Sequence, residues 1–121
     1  MTWFNTICKL GFDGMRKDDG YTIYSSGQTP DTDKDDFRPH IFITDNGVVH
    51  VADGKFYLGT SRTNLLKSEV ATILEGLSAT LPDGTGFSGL VAGTKYYWQF
   101  RPDAADPCEG ADSGIYSALA T

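Results

Sequence analysis

Short apolar or alternating stretches, separated by turn signals that contain Gly and Asp, recur along the chain, and this pattern predicts a mainly β fold. The clearest region is 40–59, where the turn signals Asp-Asn-Gly at 45–47 and Asp-Gly at 53–54 separate three apolar stretches. Asn-Gly and Asp-Gly suit the positive φ angles of two-residue hairpin turns. The pattern therefore predicts a three-stranded β-meander over 40–59.

The predicted turns set the register of this meander and divide its side chains between two faces. One face is expected to be core and holds Phe42, Thr44, Val49, Val51, Phe56 and Leu58. The other is too apolar for a solvated face and holds Ile41, Ile43, Val48, His50, Ala52, Lys55 and Tyr57. We expect another surface to cover this face. The N-terminal segment, a possible arm at 1–12, is a second apolar surface that can contact the same face or another subunit. The candidate interface residues are thus Trp3, Phe4, Ile7, Ile41, Ile43, Val48 and Tyr57.

One stretch has a helical period instead. Its apolar residues recur at intervals of three and four, and they are Leu66, Val70, Ile73, Leu74 and Leu77. This spacing predicts one short helix at about 63–77, with Thr63 or Asn64 as its cap. No repeat, low-complexity tract or linker divides the 121 residues, a length that suits one domain. We therefore predict a single mainly β domain over 1–121, with an antiparallel, β-sandwich-like arrangement.

The segment 89–101, Gly-Leu-Val-Ala-Gly-Thr-Lys-Tyr-Tyr-Trp-Gln-Phe-Arg, resembles the fibronectin type III and immunoglobulin-like modules. In the fibronectin family a leucine, a Gly-Thr pair and a tyrosine precede an alternating strand, and here Leu90, Gly93, Thr94 and Tyr96 match. The resemblance implies a structural corner in which the tyrosine hydroxyl bonds nearby backbone. Segment 113–119 is similar to the last strand of the family. The resemblance further implies a module that binds or spaces, by analogy of fold.

The formal charge of −6 narrows the choice of partners. Nucleic acid is a poor partner because its affinity comes from Lys and Arg that neutralise phosphates. No apolar run approaches the roughly 20 residues that span a bilayer, so we expect no membrane contact. The first residues lack a basic segment followed by an apolar one, and we expect synthesis in a cytoplasm.

The two cysteines, Cys8 and Cys108, leave two alternatives open. In a reducing compartment they are two free thiols. If oxidised, they close a loop of about 100 residues, which contributes about 4 to 5 kcal/mol in the chain-entropy model.

Residues 25–40 are predicted to form a long polar loop. Its start at Asp31-x-Asp33-x-Asp35 is similar to a calcium loop, but Asp36 and Phe42 occupy positions that require glycine and glutamate. We expect a solvated acidic loop.

The sequence offers no catalytic constellation. His40 and His50, the two histidines, fall on opposite faces of the predicted meander and do not readily share a metal or a proton. A cysteine with a histidine is a conceivable nucleophile and base, but no orienting motif surrounds either cysteine. A sugar-stacking platform of Tyr97, Trp98 and Tyr116 is the remaining option, although aromatics that alternate along a strand are more often core. We expect no enzyme activity, no cofactor and no metal.

These observations favour a non-enzymatic structural protein. A binding module without a predicted leader looks similar to a small bacteriophage virion component. A capsid decoration or cement subunit suits the size best, and a tail or fibre accessory comes next. Its partners are then other protein subunits, as a homo-oligomer or with capsid or tail protein, and its location is the virion after synthesis in the host cytoplasm. The alternatives are a small acidic inhibitor that blocks a basic, nucleic-acid-binding surface through loop 31–36, and a carbohydrate-binding module.

Overall fold

The computed structural model describes residues 10–13, 32–45, 51–74, 78–106 and 108–121. Within these ranges the chain is built from strands and loops, without a helix. The eight strands described are β1 (Leu10–Asp13), β2 (His40–Asp45), β3 (Gly54–Gly59), β4 (Lys67–Val70), β5 (Thr72–Leu74), β6 (Ser78–Thr80), β7 (Lys95–Pro102) and β8 (Tyr116–Leu119). The mainly β class predicted from the alternating pattern is confirmed for this part of the chain.

The strands form two four-stranded sheets in which every neighbouring pair is antiparallel. The first sheet has the order β1-β2-β6-β5 and the second has the order β4-β3-β7-β8. The chain leaves the edge of the second sheet and joins the edge of the first between β4 and β5. It does so at Ala71, a buried residue whose N–H donates to the carbonyl of Gly54 at 2.9 Å. β4 and β5 are therefore one extended segment shared by two sheets.

One hydrophobic cluster takes side chains from both sheets. Ile41 and Ala79 come from the first sheet, and the large aromatic residues of β3 and β7 come from the second. The ring of Phe56 packs edge-on against Trp98, with centroids 5.8 Å apart, and against Phe100 at 5.5 Å. Val51 and Phe56 of the predicted core face are fully or nearly buried, as are Tyr96, Trp98 and Phe100 of β7. Leu58 is buried as well, whereas the side chain of Phe42 lies outside what the structure describes.

The helix predicted at about 63–77 is wrong for the residues that the structure describes. Lys67–Val70 and Thr72–Leu74 are strands of different sheets. The predicted stripe is not a buried helix face, since Leu66 and Val70 are 79% and 69% exposed. Val70, Thr72 and Ile73 are β-branched, and such side chains favour strand over helix. Residues 75–77 lie outside the described ranges.

The meander predicted over 40–59 is also wrong. β2 and β3, the first and third stretches of the predicted meander, belong to different sheets, so 40–59 does not form one sheet. β2 pairs instead with β1 and β6, and β3 pairs with β4 and β7. Gly54, predicted to lie in the second turn, is the first residue of β3, while 46–50 lies outside the described ranges. Pairing with strands outside 40–59 thus overrides the local turn signals.

Candidate interaction surface

β4 is an edge strand of the second sheet, and its backbone leaves one side without a strand neighbour among the described residues. The direction of its hydrogen bonds follows from Ala71, which donates to Gly54 and so begins the ladder with β3. Bonded and non-bonded pairs alternate along an antiparallel ladder. Glu69 and Lys67 therefore bond towards β3, whereas the N–H and C=O groups of Ser68 and Val70 point outward from the edge.

Two large apolar side chains lie along this edge. Leu66 directly precedes β4 and is 79% exposed, and Val70 ends the strand and is 69% exposed. Lys67 and Ser68 are exposed, and Glu69 is partly so. An edge strand with outward-pointing backbone groups is a template for pairing with another chain. We call residues 66–70 the β4 edge.

Two tyrosine rings on the outer face of the second sheet, in contrast, contact the chain's own arginine side chains. The guanidinium of Arg101 lies 4.3 Å from the ring centre of Tyr57, and that of Arg62 lies 5.6 Å from the ring centre of Tyr97. Arg101 Nε also donates to Gln99 at 2.8 Å. These cation–π contacts cover the two tyrosine rings. Tyr57 and Tyr97 are therefore engaged in intramolecular contacts, unlike the apolar side chains of the β4 edge.

The structure accounts for only part of the interface predicted from sequence. Ile41 is fully buried in the core, so it is not available to a partner. Ile43 pairs through its backbone with Phe12, and its side chain is outside what the structure describes. Tyr57 is partly buried beneath Arg101. The other four predicted residues lie outside the described ranges, and they are Trp3, Phe4, Ile7 and Val48.

The β4 edge was not among the predicted interface residues. Its sequence signal is the absence of alternation: Lys67, Ser68 and Glu69 are three consecutive polar residues inside a strand. Charged residues are common on edge strands, where they limit uncontrolled pairing. The spacing of Leu66 and Val70 opposes this signal, because it also fits one face of a helix.

The corner implied by the resemblance has the expected geometry. The N–H of Val91 donates to the hydroxyl of Tyr96 at 2.9 Å. Gly93 has a φ of 84°, a left-handed conformation that other residues adopt only with strain. Leu90 is buried beside this turn, and Ala120 donates to the carbonyl of Thr94 at 3.0 Å. These contacts join the 90–94 turn to β7 and to the end of β8.

A buried carboxylate holds two loops together near the other end of β7. One oxygen of Asp106 accepts hydrogen bonds from the N–H groups of Ala52 and Asp53, each at 2.9 Å. Its other oxygen accepts the N–H of Cys108 at 2.8 Å. Three backbone donors occupy this carboxylate, so its role is structural and it is not placed to take part in acid–base chemistry.

The carboxylates of the acidic loop that the structure describes, at 33, 35 and 36, also make intramolecular contacts. Asp36 accepts the N–H groups of Gly84 and Gly86 at 3.0 and 2.8 Å and lies 3.2 Å from Arg38 Nε. Asp33 accepts the N–H of Asp35 at 2.7 Å, and Asp35 pairs with Lys34 at 2.8 Å. This arrangement organises residues 33–36 as a turn packed on loop 82–86. It provides little support for a contact loop of an inhibitor.

Cys108 is disulfide-bonded and fully buried. The alternative of two free thiols is therefore wrong for Cys108. The sequence holds one other cysteine, Cys8, which lies outside the described ranges. A disulfide is typical of proteins that work in an oxidising environment, which includes secreted proteins and the surfaces of virions and cells.

The residues considered for chemistry do not come together. His40 is buried, and this burial lowers the pKa of its imidazole below 6.5, while His50 lies outside the described ranges. Within the part of the chain that the structure describes, no group of three His, Cys, Asp or Glu side chains is placed to hold a metal ion. Asp112 has a pKa raised by partial burial, an effect that the charge of Arg101 opposes.

The aromatic platform considered for sugars is not formed. Trp98 is fully buried, and Tyr116 packs against it with ring centroids 4.9 Å apart. Tyr97 directly precedes Trp98 along the strand and so points to the opposite face of the sheet. The three rings thus present no common surface to a sugar.

Compared with protein-family models, curated proteins and solved structures, the chain gives no match. Among the described residues there is no helix with the length and apolar character needed to span a membrane. Among the described residues, the β4 edge is an exposed feature whose outer side no intramolecular strand pairing occupies.

Proposed function

We propose that this chain is a non-enzymatic structural subunit that is held by neighbouring protein subunits in an assembly. The β4 edge carries the proposal, because it combines outward-pointing backbone groups with the exposed side chains of Leu66 and Val70. A strand edge of this kind associates by adding another strand to the sheet. We propose further that the two sheets pack face to face as a β-sandwich, which the shared hydrophobic cluster supports.

The assembly that we propose is a bacteriophage particle, in which the chain is a capsid decoration or cement subunit, or a tail or fibre accessory. Its small size and acidic surface suit a subunit added to the outside of a larger shell. The disulfide at Cys108 supports a place on a particle that leaves the cell, because disulfides persist in oxidising surroundings. In this proposal the bond forms after release from the reducing host cytoplasm.

The test is to locate the chain in material from its natural source. An antibody raised against the recombinant protein is used on a lysate separated by size and density, followed by gold labelling of any particles in electron micrographs. We expect the chain in the particle fraction and gold on the particle surface. Recovery of the chain only as a free protein of low mass would overturn the proposal.

A salt series on the same lysate separates this proposal from the acidic inhibitor. Attachment through a strand edge is mainly apolar and backbone-mediated, so we expect the particle-bound fraction to survive high ionic strength. A complex formed between the acidic surface and a basic groove weakens as salt screens the charges. Release of the chain from its partner by salt alone would favour the inhibitor.

A further inference from the structure

We infer that β4 pairs with β4 of a second copy of this chain, antiparallel and across a two-fold axis at Ser68. The two second sheets would then form one continuous sheet through both molecules. This inference rests on the proposed function, since it names the partner that occupies the β4 edge. It follows from the directions of the backbone groups, from the charges and from the exposed apolar residues.

The backbone restricts where a two-fold axis can lie. The outward N–H and C=O groups belong to Ser68, to Val70 and, by the same alternation, to Leu66. An axis between two residues would set outward groups of one copy against inward groups of the other. The axis must therefore pass through a residue, and Lys67, Ser68 and Glu69 are the three central choices.

The charges select among these three. An axis at Lys67 would place Lys67 opposite its own copy, and an axis at Glu69 would do the same for glutamate. Like charges directly opposite on neighbouring strands destabilise the pairing. An axis at Ser68 instead places Lys67 of each copy opposite Glu69 of the other, which creates two cross-strand ion pairs of opposite charge.

The same register also matches the apolar residues. With the axis at Ser68, Leu66 of each copy lies opposite Val70 of the other, and both side chains fall on the outer face of the sheet. The pair covers the two most exposed large apolar side chains among the described residues. Three hydrogen-bonded pairs result, Ser68 with Ser68 and Leu66 with Val70 twice, which provide about six backbone hydrogen bonds.

The proposed pairing between the two β4 strands is short, so we expect the dimer to be weak. Five residues of each chain take part, fewer than in a stable standard-size interface. We therefore expect a dimer that depends on protein concentration, and tighter pairing where an assembly holds the copies close together.

Cysteine cross-linking tests the register on the whole chain. In a hydrogen-bonded antiparallel pair the Cα atoms lie about 5.5 Å apart, which a disulfide can bridge. Ser68→Cys should therefore form a covalent dimer under mild oxidation. Lys67→Cys is the matched control, because the exposed residue 67 is offset from its own copy by two positions, about 8 Å between Cα atoms. Equal cross-linking of the two variants would overturn the register.

A charge swap tests the ion pairs. Lys67→Glu and Glu69→Lys should each weaken the dimer in sedimentation experiments, because each sets like charges opposite one another twice. The double variant restores opposite charges and should recover the association of the parent chain. Failure of the double variant to recover, with each single variant folded by circular dichroism, would overturn the inference.

Proline substitutions separate pairing from folding. Ser68→Pro removes an outward N–H and leaves the bonds to β3, so this variant should fold and remain monomeric. Glu69→Pro removes an N–H that bonds to β3 and should lower stability. If Ser68→Pro dimerises as well as the parent chain, β4 is not the interface.

The outcomes distinguish this inference from the proposed function. A chain found in particles, whose β4 edge does not cross-link to itself, keeps the proposed function and gives the β4 edge a different partner. A chain that dimerises through Ser68 but never enters a particle keeps the inference and removes the phage assembly. In neither case does one failure imply the other.

Discussion

The hydroxyl of Tyr96 accepts a hydrogen bond of 2.9 Å from the backbone N–H of Val91, five residues earlier in the chain. Tyr96 is buried near the start of β7, and its ring lies 6.2 Å from that of Phe37. One side chain therefore binds the 90–94 turn to the core of the protein.

Tyr96→Phe should lower the free energy of unfolding by about 1 to 2 kcal/mol, because the partly buried Val91 N–H loses its acceptor while the ring is kept. Urea unfolding measures this change. Tyr97→Phe is the matched control on the opposite face, where we expect a change within about 0.5 kcal/mol. Equal effects of the two substitutions would contradict a specific role for the corner bond.

Asp106→Ala should cost more, about 3 kcal/mol or above, since it leaves the N–H groups of Ala52, Asp53 and Cys108 without their acceptor. Asp106→Asn keeps one accepting oxygen and should fall between the alanine variant and the parent chain. Thermal and urea unfolding provide the comparison.

The control for this substitution is Asp83→Ala. Asp83 is 92% exposed and lies 3.4 Å from Arg38, and an ion pair with so exposed a carboxylate contributes little. We expect its removal to change stability by less than about 0.5 kcal/mol. A loss at Asp106 no larger than that at Asp83 would show that the loops are held by other contacts.

His40 should make stability depend on pH below neutrality. Burial lowers the pKa of His40 in the folded protein, so the unfolded chain binds the proton more readily. Its contribution is complete above the ordinary pKa of about 6.5 and is lost as the pH falls from there towards the folded value. The slope for one proton is at most about 1.4 kcal/mol per pH unit.

Urea unfolding at intervals from about pH 5 to 8 measures this slope, and His40→Gln should flatten it below 6.5. Parent stability that does not change across this range would contradict the buried neutral imidazole.

The disulfide at Cys108 should be detectable chemically. Without reductant the denatured chain should take up no alkylating reagent, and after reduction it should take up one label on each cysteine. A bond between Cys8 and Cys108 closes a loop of about 100 residues, so reduction should lower stability by about 4 to 5 kcal/mol in the chain-entropy model. Labelling of both thiols before reduction would contradict the bond.

Local sequence was sufficient for the C-terminal part of the fold. Period-two alternation in 95–102 correctly separates the buried Tyr96, Trp98 and Phe100 from Tyr97 and Gln99, since a strand sends successive side chains to opposite faces. The corner follows from the same short segment, because its glycine turn and its tyrosine bond lie within six residues of one another.

The partners of each strand were decided by the tertiary structure alone. The turn signals near 45–54 predict hairpins within this segment, yet β2 and β3 join different sheets, because β2 pairs with β1 and β6 and β3 pairs with β4 and β7. The spacing of Leu66 and Val70 fits a helix as well as it fits an edge strand. The exposure of these two side chains distinguishes the edge strand from a buried helix face, and this exposure depends on which strand ends the sheet. The sequence by itself therefore determined the β class and the corner, whereas the two-sheet topology and the open β4 edge arise from long-range pairing that no local pattern encodes.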